Sequence, residues 1–378
     1  MGFWHYLKLC FQPAPAEGKT ALLVEINAFH GETLPGYVHY FQELGYEVTV
    51  LTRHVSWKDS PFVRMPKKPR HYCLTIWGMR HFLKSKKAAQ YSVVFYNSLR
   101  LFLNEYRFIG LARTFFNGKL PCGQDNWCGI EHNLESHRRK ELCQLIENNP
   151  DAPELSDLLK HTFVLTPVNV ALPRRNSHTV PMLNPCYFGE KQHNHTFAGK
   201  QKRIFITIGN VSRKTRSFPE LFTMLKSLDA TADYELRIIG KVIDDSLLGE
   251  IPSNVRILGR LTYEEMYRHL EEADFFLPLL SPETQAKYLN GCTSGSRQLI
   301  LGFAIPPIIH QAFAEVYGFH EGSCIPYSDS NGFSAAFQRA LALNSAEYAD
   351  MRKTLASLKT EVEAVSLANI QARLQTQP

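Results

Sequence analysis

Two kinds of short run in this chain carry residue types suited to chemistry. One pairs histidine with a carboxylate just past an apolar segment. The other places cations or hydroxyls in a glycine turn that opens a helix. Asn27-Ala28-Phe29-His30-Gly31-Glu32-Thr33-Leu34-Pro35-Gly36 is of the first kind, with His30, Gly31 and Glu32 at the tip of a strand. Gly129-Ile130-Glu131-His132-Asn133-Leu134 is another, presenting Glu131, His132 and Asn133. An imidazole beside a carboxylate at such a tip suits a general base or a contact to an acceptor hydroxyl. A lone histidine is more often structural, but two at strand tips facing one cleft favour the functional reading. His132, His30 and Glu32 are therefore the catalytic candidates, and Gly31, Glu131 and Asn133 the acceptor-side contacts.

The second kind occurs twice. Gly209-Asn210-Val211-Ser212-Arg213-Lys214-Thr215-Arg216 is a glycine turn with three cations before a helix start. Guanidinium, ammonium and free backbone N–H groups together would cradle a diphosphate, although a solvated basic loop has the same composition. Gly240 and Lys241 end the next strand, and Gly259 and Arg260 the one after. Gly291-Cys292-Thr293-Ser294-Gly295-Ser296 leads into a helix at Arg297. Its small residues admit a ligand close to the backbone, and Thr293, Ser294 and Ser296 can donate to phosphate oxygens. The plainer alternative makes Ser296 an N-cap and the rest a turn. No Asp-x-Asp occurs in the chain. A donor held through a metal bridged by such a motif is thus disfavoured, and cationic side chains would neutralise a leaving diphosphate without metal or cofactor.

The elements that must position these runs appear in two successive sets. Ala21 to Ile26 reads as a buried strand, Tyr37, Val38, Phe41 and Leu44 as a helix stripe stopped by Gly45, and Glu47 to Leu51 as the next strand. That order is a βαβ unit. Tyr91 to Tyr96, Gly129 to His132 and Thr162 to Thr166 read as further strands. The pattern restarts at Arg203 to Ile208. Ser217 and Glu220, then Thr262 and Glu265, have capping-box spacing. Glu235 to Ile239, Val255 to Leu258 and Asp274 to Leu277 are strands, Ser296 to Gly302 a short helix, and Ile305 to Ile309 an edge or irregular strand because of Pro306 and Pro307. Ala346 to Leu374 is helical in composition. Residues 181–202 are polar and aperiodic. The expected division is a first Rossmann-like domain over 1–185, a linker over 186–202, and a second over 203–378 with terminal helices. In open parallel sheets ligands bind beyond the carboxyl ends of the strands, where every run above falls.

Bulk properties agree with this picture. The chain has 378 residues, 44% hydrophobic and 21% charged, long enough for two cores. Neither a signal-peptide layout nor a stretch long and apolar enough to span a bilayer appears, so a cytoplasmic protein is expected. Its eight cysteines are scattered without C-x-x-C spacing and read as plain thiols. A net charge of +6 suits anionic partners such as nucleotide diphosphates or an acidic membrane surface. No nucleic-acid partner is expected. A dehydrogenase is disfavoured because no G-x-G-x-x-G follows either opening strand.

Over about 75 residues, the second half resembles the donor domain of GT-B glycosyltransferases, especially the large retaining family of bacterial mannosyl- and glucosyltransferases. The resemblance runs through Ile208-Gly209, Arg213-Lys214, Leu236 to Gly240, Asn254 to Gly259, Glu264-Glu265 and Ala273 to Pro278. The first half resembles the acceptor domain less closely, by its glycine-bearing first loop and later histidine. The resemblance implies two Rossmann-like domains facing across a cleft, a nucleotide-sugar donor held by the second and a glycan or lipid-linked acceptor by the first. Donor contacts would then come from Gly209, Asn210, Arg213, Lys214, Gly240, Lys241, Glu283, Thr293, Ser294, Gly295 and Ser296. One departure stands out: of the family's two glutamates eight positions apart, Glu283 could supply the first, but position 291 is glycine. A nucleotide-sugar epimerase and a non-catalytic nucleotide-sugar-binding protein are the alternative functions. Finally, Arg64, Lys67, Lys68, Arg70, Arg80, Lys84, Lys86 and Lys87 interleave with Tyr72, Trp77, Met79 and Phe82, and Phe3, Trp4, Leu7 and Phe11 could form an N-terminal stripe. This reads either as an anionic-membrane surface or as a basic helix with its aromatics in the core.

Overall fold

The computed structural model describes residues 2–11, 18–27, 30–53, 59–99, 126–132, 160–166, 168–170, 178–213, 216–228, 233–292 and 294–375. The first half is built from α1 (Gly2–Phe11), β1 (Thr20–Glu25), α2 (Leu34–Glu43), β2 (Glu47–Arg53), β3 (Arg70–Leu74), α3 (Ile76–Leu83), β4 (Val93–Tyr96), β5 (Trp127–Ile130) and β6 (Thr162–Phe163). They form a six-stranded parallel sheet in the order β3-β2-β1-β4-β5-β6. Alternation along β1 divides the core between the two faces. Leu22 and Val24 pack with Leu9, Met79 and Phe82 from α1 and α3, while Ala21 and Leu23 pack with Tyr37 and Phe41 of α2. A short antiparallel pair, β7 (Val168–Val170) and β8 (His178–Val180), follows.

The second half repeats the plan: β9 (Arg203–Ile208), α4 (Phe218–Ser227), β10 (Tyr234–Ile239), β11 (Val255–Gly259), α5 (Tyr263–Glu272), β12 (Phe275–Phe276), α6 (Pro282–Gln285), α7 (Ser296–Phe303), β13 (Ile308–His310), α8 (Gln311–Tyr317), β14 (Ile325–Tyr327), α9 (Ser330–Ala342) and α10 (Ser345–Gln375). β11-β10-β9-β12 form a parallel sheet, and a bridge between Phe276 and Pro307 carries it on to β13 and β14. Of the two expectations for Pro306 and Pro307, an edge or an irregular strand, the irregular one holds: the prolines precede β13 and join β12 by a single bridge, in an interior position. Proline lacks a donor but keeps its carbonyl, and these carbonyls accept from Phe276 N (3.0 Å) and Ile325 N (2.9 Å). The Thr262–Glu265 capping box forms on α5 as expected. The one expected at Ser217 does not: the Ser217 N–H donates to Leu279 O at 3.3 Å, and its side chain makes no cap bond.

Among the described residues, attachments of three kinds tie the halves together. Residues 186–202 run between them without helix or strand, and Asp274 accepts from His195 Nε2 (2.8 Å), Lys200 Nζ (2.7 Å) and Ile204 N (2.7 Å). Helix α10 begins on the second sheet through Tyr348, Met351 and Leu355 and ends against the first through Ile370. Ser366 Oγ there accepts from Asn184 N at 3.0 Å. The third attachment is ionic. Asp59 accepts the free N–H groups of Tyr263 and Glu264 at the start of α5, at 2.7 and 3.1 Å. Arg64, expected on a basic surface, is instead buried between the halves. It pairs with Glu264 at 2.8 Å and with buried Glu271 at 2.6 Å.

Truncating Arg64 would strand the Glu271 carboxylate away from water. Arg64→Ala should cost about 3–5 kcal/mol in urea unfolding. Glu264→Gln, at the wetter end of the network, should cost about 1 kcal/mol or less. Equal losses in the two variants would show that the buried pair has no special weight.

Candidate functional site

The first half-site is assembled at the carboxyl ends of β1, β4 and β5, around Asn97. Asn97 Nδ2 donates to the His30 carbonyl at 3.0 Å and to Glu25 Oε2, and Asn97 Oδ1 accepts from Thr33 Oγ1 at 3.0 Å. The His30 carbonyl also accepts from Thr33 Oγ1 at 2.7 Å. These bonds hold His30 at φ 71°, a left-handed conformation that a β-carbon makes costly. The result is a stack of His30 on His132, with ring centres 4.3 Å apart and planes within 16°. His132 Nε2 lies 2.5 Å from the Asn97 carbonyl. A carbonyl only accepts, so Nε2 carries the hydrogen and the neutral ring keeps its lone pair on Nδ1.

Carboxylates flank the stack. Glu32 lies 3.8 Å from His30 Nδ1. Burial works to raise its pKa, but the hydrogen bond and charge of His30 with nearby N–H groups hold the carboxyl below the ordinary range. Its charge also helps raise Tyr263 and Tyr267 on α5, behind the larger effect of burial, so Glu32 faces the second half. Beneath the histidines Glu25 is fully buried, accepting from Asn27 N at 2.6 Å and Ser98 Oγ at 2.9 Å. Burial pushes its carboxyl up to about 7, against the pull of His30 and of those hydrogen bonds. Glu131 is buried at the end of β5 and Gly31 beside Glu32, while Asn133 lies outside the described residues.

The second half-site lies where β9 and β12 end and α7 begins. Gly209 and Gly240 touch there, since a β-carbon on Gly240 would fall 1.9 Å from the Gly209 carbonyl oxygen. Arg216 reaches beneath them. Its Nη2 donates to Ile208 O at 3.1 Å, and its Nη1 to Pro278 O and, at 3.5 Å, to Ser296 Oγ. Ser294 and Ser296 are buried and bonded to each other at 3.2 Å, with Ser294 N donating to Tyr317 OH at 3.2 Å. Gly295 is exposed, with open space where a β-carbon would stand.

Arg297, in the first turn of α7, is only 5% exposed. Its Nε donates to Tyr317 O at 3.2 Å, and among the described residues its Nη1 has no hydrogen-bond partner. Burial lowers the pKa of both Arg216 and Arg297. The charges that act on them are those of Tyr288 and Tyr317 for the first, and of Cys186, Tyr317 and Tyr40 for the second, and among the described residues no carboxylate is bonded to either. Two guanidinium groups thus share Tyr317 at one helix N-terminus. Tyr40 lies on α2, the helix that follows the His30–Glu32 turn, so the two half-sites adjoin.

Other expected donor residues stand apart. Arg213 is half-exposed and lies 3.5 Å from Asp244. Asn210 and Lys241 are exposed. Glu283 is exposed and bonded to Ser281, which lowers its pKa, and lines a separate cavity of about 300 Å³ with Glu220, His310, Tyr327 and Asp329. Lys214 and Thr293 lie outside the described residues. Sequence reasoning passed over Glu25, Asn97, Arg297 and Tyr317. Only Arg216 stood in a run already singled out.

No protein-family model and no curated protein matches this sequence. Solved structures do match its fold. An alpha-glucosyltransferase in complex with UDP and a 13-mer DNA containing a HMU base superposes over 93% of this chain and 95% of its own, with TM-score 0.56 at 12% identity. Anabaena Alr3699/HepE in complex with UDP and glucose covers 95% and 100%, with TM-score 0.54 at 9% identity. A putative UDP-N-acetylglucosamine 2-epimerase from Listeria monocytogenes covers 96% and 98%, with TM-score 0.50 at 13% identity. The architecture is GT-B: two Rossmann-like domains facing across a cleft, with a C-terminal helix.

The Glu25 environment has a measurable consequence. A carboxyl raised to about 7 stays protonated in the fold while the unfolded chain has already ionised. Stability should therefore fall as pH rises from about 4.5 to about 7, by about 3 kcal/mol, and then level off. Glu25→Gln should flatten that slope in urea unfolding followed against pH. An unchanged slope would place the carboxyl in a more polar setting.

Proposed function

We propose that this protein is a metal-independent glycosyltransferase that moves a hexose from a nucleotide-diphosphate sugar to a glycan or lipid-linked acceptor. We place it in the cytoplasm, in bacterial surface-polysaccharide assembly such as lipopolysaccharide or capsule. The observation that carries this reading is the buried Arg297 and half-buried Arg216 at the α7 N-terminus, neither bonded to a carboxylate among the described residues. Buried cations need counter-charge, and a donor diphosphate beyond β9 and β12 would supply it. The same groups would stabilise charge on the leaving diphosphate. Gly209, Gly240, Ser294, Gly295 and Ser296 give the backbone approach, with Lys214 and Thr293 on the same runs. Arg213, Asn210 and Lys241, on the loops after β9 and β10, would form an outer rim reaching the nucleoside, while Glu283 lines the separate cavity. His132, its lone pair on Nδ1, and the His30–Glu32 pair supply acid–base groups toward an acceptor hydroxyl, with Gly31 and Glu131 around them and Asn133 next in the sequence. UDP in two of the structural relatives supports a nucleotide-diphosphate donor. An epimerase, the activity named for the third, is the second reading, and product formed from donor alone would favour it.

Arg297→Met separates binding from folding. Removing an uncompensated buried charge should raise the melting temperature, while affinity for nucleoside diphosphates falls about 10- to 100-fold. A variant that melts lower and binds unchanged would sink the assignment. Gly295→Val should fill the open space and block the donor with little loss of stability.

His132→Ala should lose turnover far more than donor affinity, because its contact would matter mainly in the transition state. Full activity would remove His132 from the site.

A further inference from the structure

The edge of the first sheet carries a surface that the sugar chemistry does not use. Helix α1 lies along β3 and α3, with Cys73 N donating to His5 Nδ1 at 2.9 Å, Tyr6 OH meeting His81 Nδ1 at 2.5 Å, and Lys87 Nζ donating to Cys10 O at 2.9 Å. Leu9 is buried in the core. The outer face of α1 therefore presents Trp4, Lys8 and Phe11, at helical spacing. Helix α3 presents Trp77, Arg80 and Lys84 in the same way, while its Met79 and Phe82 are core. Trp4, Phe11 and Trp77 are 67%, 83% and 65% exposed. They are the only aromatics among the large apolar side chains found exposed in the described residues.

Between the helices lies an open groove of about 700 Å³ lined by Tyr6, Trp77, Arg80, His81 and Lys84 among others. Arg80 sits over the Trp77 ring at 5.8 Å. Neither helix contains an Asp or Glu, and none occurs in the sequence from Ser60 to Asn104. Exposed indoles beside cations, on helices that contain no acid, are matched to an interface that is apolar inside and negative outside. Among the described residues no helix is long and apolar enough to cross a membrane, so the contact would be superficial.

We propose that the outer faces of α1 and α3 dock this protein on an anionic phospholipid surface, with the aromatics inserted at headgroup level and the cations on lipid phosphates. This inference does not depend on the transferase reading, and its test needs no substrate. The full chain is co-sedimented with vesicles of phosphatidylcholine alone, or of phosphatidylcholine with phosphatidylglycerol, at low and high salt. Binding should require phosphatidylglycerol and weaken with salt. Lys84→Ala and Lys86→Ala should each lower it about fivefold at low salt. Trp4→Ala with Trp77→Ala should lower it at least tenfold while leaving the thermal melt unchanged. Brominated lipids should quench fluorescence less in Trp77→Phe than in the native chain. Absence of binding to anionic vesicles at low salt overturns the proposal, as does undiminished binding by the double tryptophan variant. A concentration-dependent dimer that these substitutions dissolve would assign the surface to a second copy instead.

Discussion

A guanidinium taken out of water needs an anion or a full set of acceptors, and at the start of α7 this chain gives two of them carbonyls and tyrosines instead. Arg216 is held by the carbonyls of Ile208 and Pro278, which end β9 and lie just past β12. Arg297 has the carbonyl of Tyr317 and an Nη1 with no bond among the described residues. Carbonyl oxygens orient such groups without neutralising them. Their charge is therefore not cancelled by those bonds, and it adds to that of the backbone N–H groups at the start of α7. Contact between Gly209 and Gly240 brings the adjoining strand ends close to this same point.

The facing half-site works by a different economy of bonds. One asparagine side chain and its carbonyl set His30, Thr33, Glu25 and His132 in place, so the geometry of the histidine stack is a property of Asn97 rather than of either ring. The αL turn at His30 is held by acceptor bonds to its carbonyl, which explains how a non-glycine residue persists there. Glu25 below, raised to about 7, is partly protonated near neutrality, whereas Glu32, held below the ordinary range, carries its charge on the side facing α5.

Much of the fold could be read from residues. The βαβ rhythm, the glycines that close β9, β10 and β11 and the Thr262–Glu265 box are local signals, and local physics set those elements. β3 was not legible because Arg70-His71-Tyr72-Cys73-Leu74 is an edge strand whose side chains are only partly covered. The interior position of β13 was hidden because sequence rules weigh proline's missing donor and not its available carbonyl. At the site, His30, Glu32 and His132 were found from type and position, but Asn97 and Glu25 look like any strand-end polar residues. Arg297 was passed over as the first residue of a helix, because its burial arises from groups far along the chain, among them Cys186 and Tyr317. The basic span around Arg64 showed the same limit, since Arg64 lies deep in the interface while Arg80 and Lys84 remain on the surface.

What keeps the half-sites in register is charge more than apolar contact. Asp59 caps α5, and Arg64 threads to Glu271 behind it, so a segment of the first half terminates and anchors a helix of the second. Such bonds are directional, and a slip of an ångström would leave Glu271 or the α5 N–H groups unpaired. An apolar contact of the same size would tolerate that slip. The arrangement fixes Tyr263 and Tyr267 opposite Glu32. Helix α10 ties the far side through Ser366 and Ile370, so relative motion of the halves would have to pivot between these two attachments.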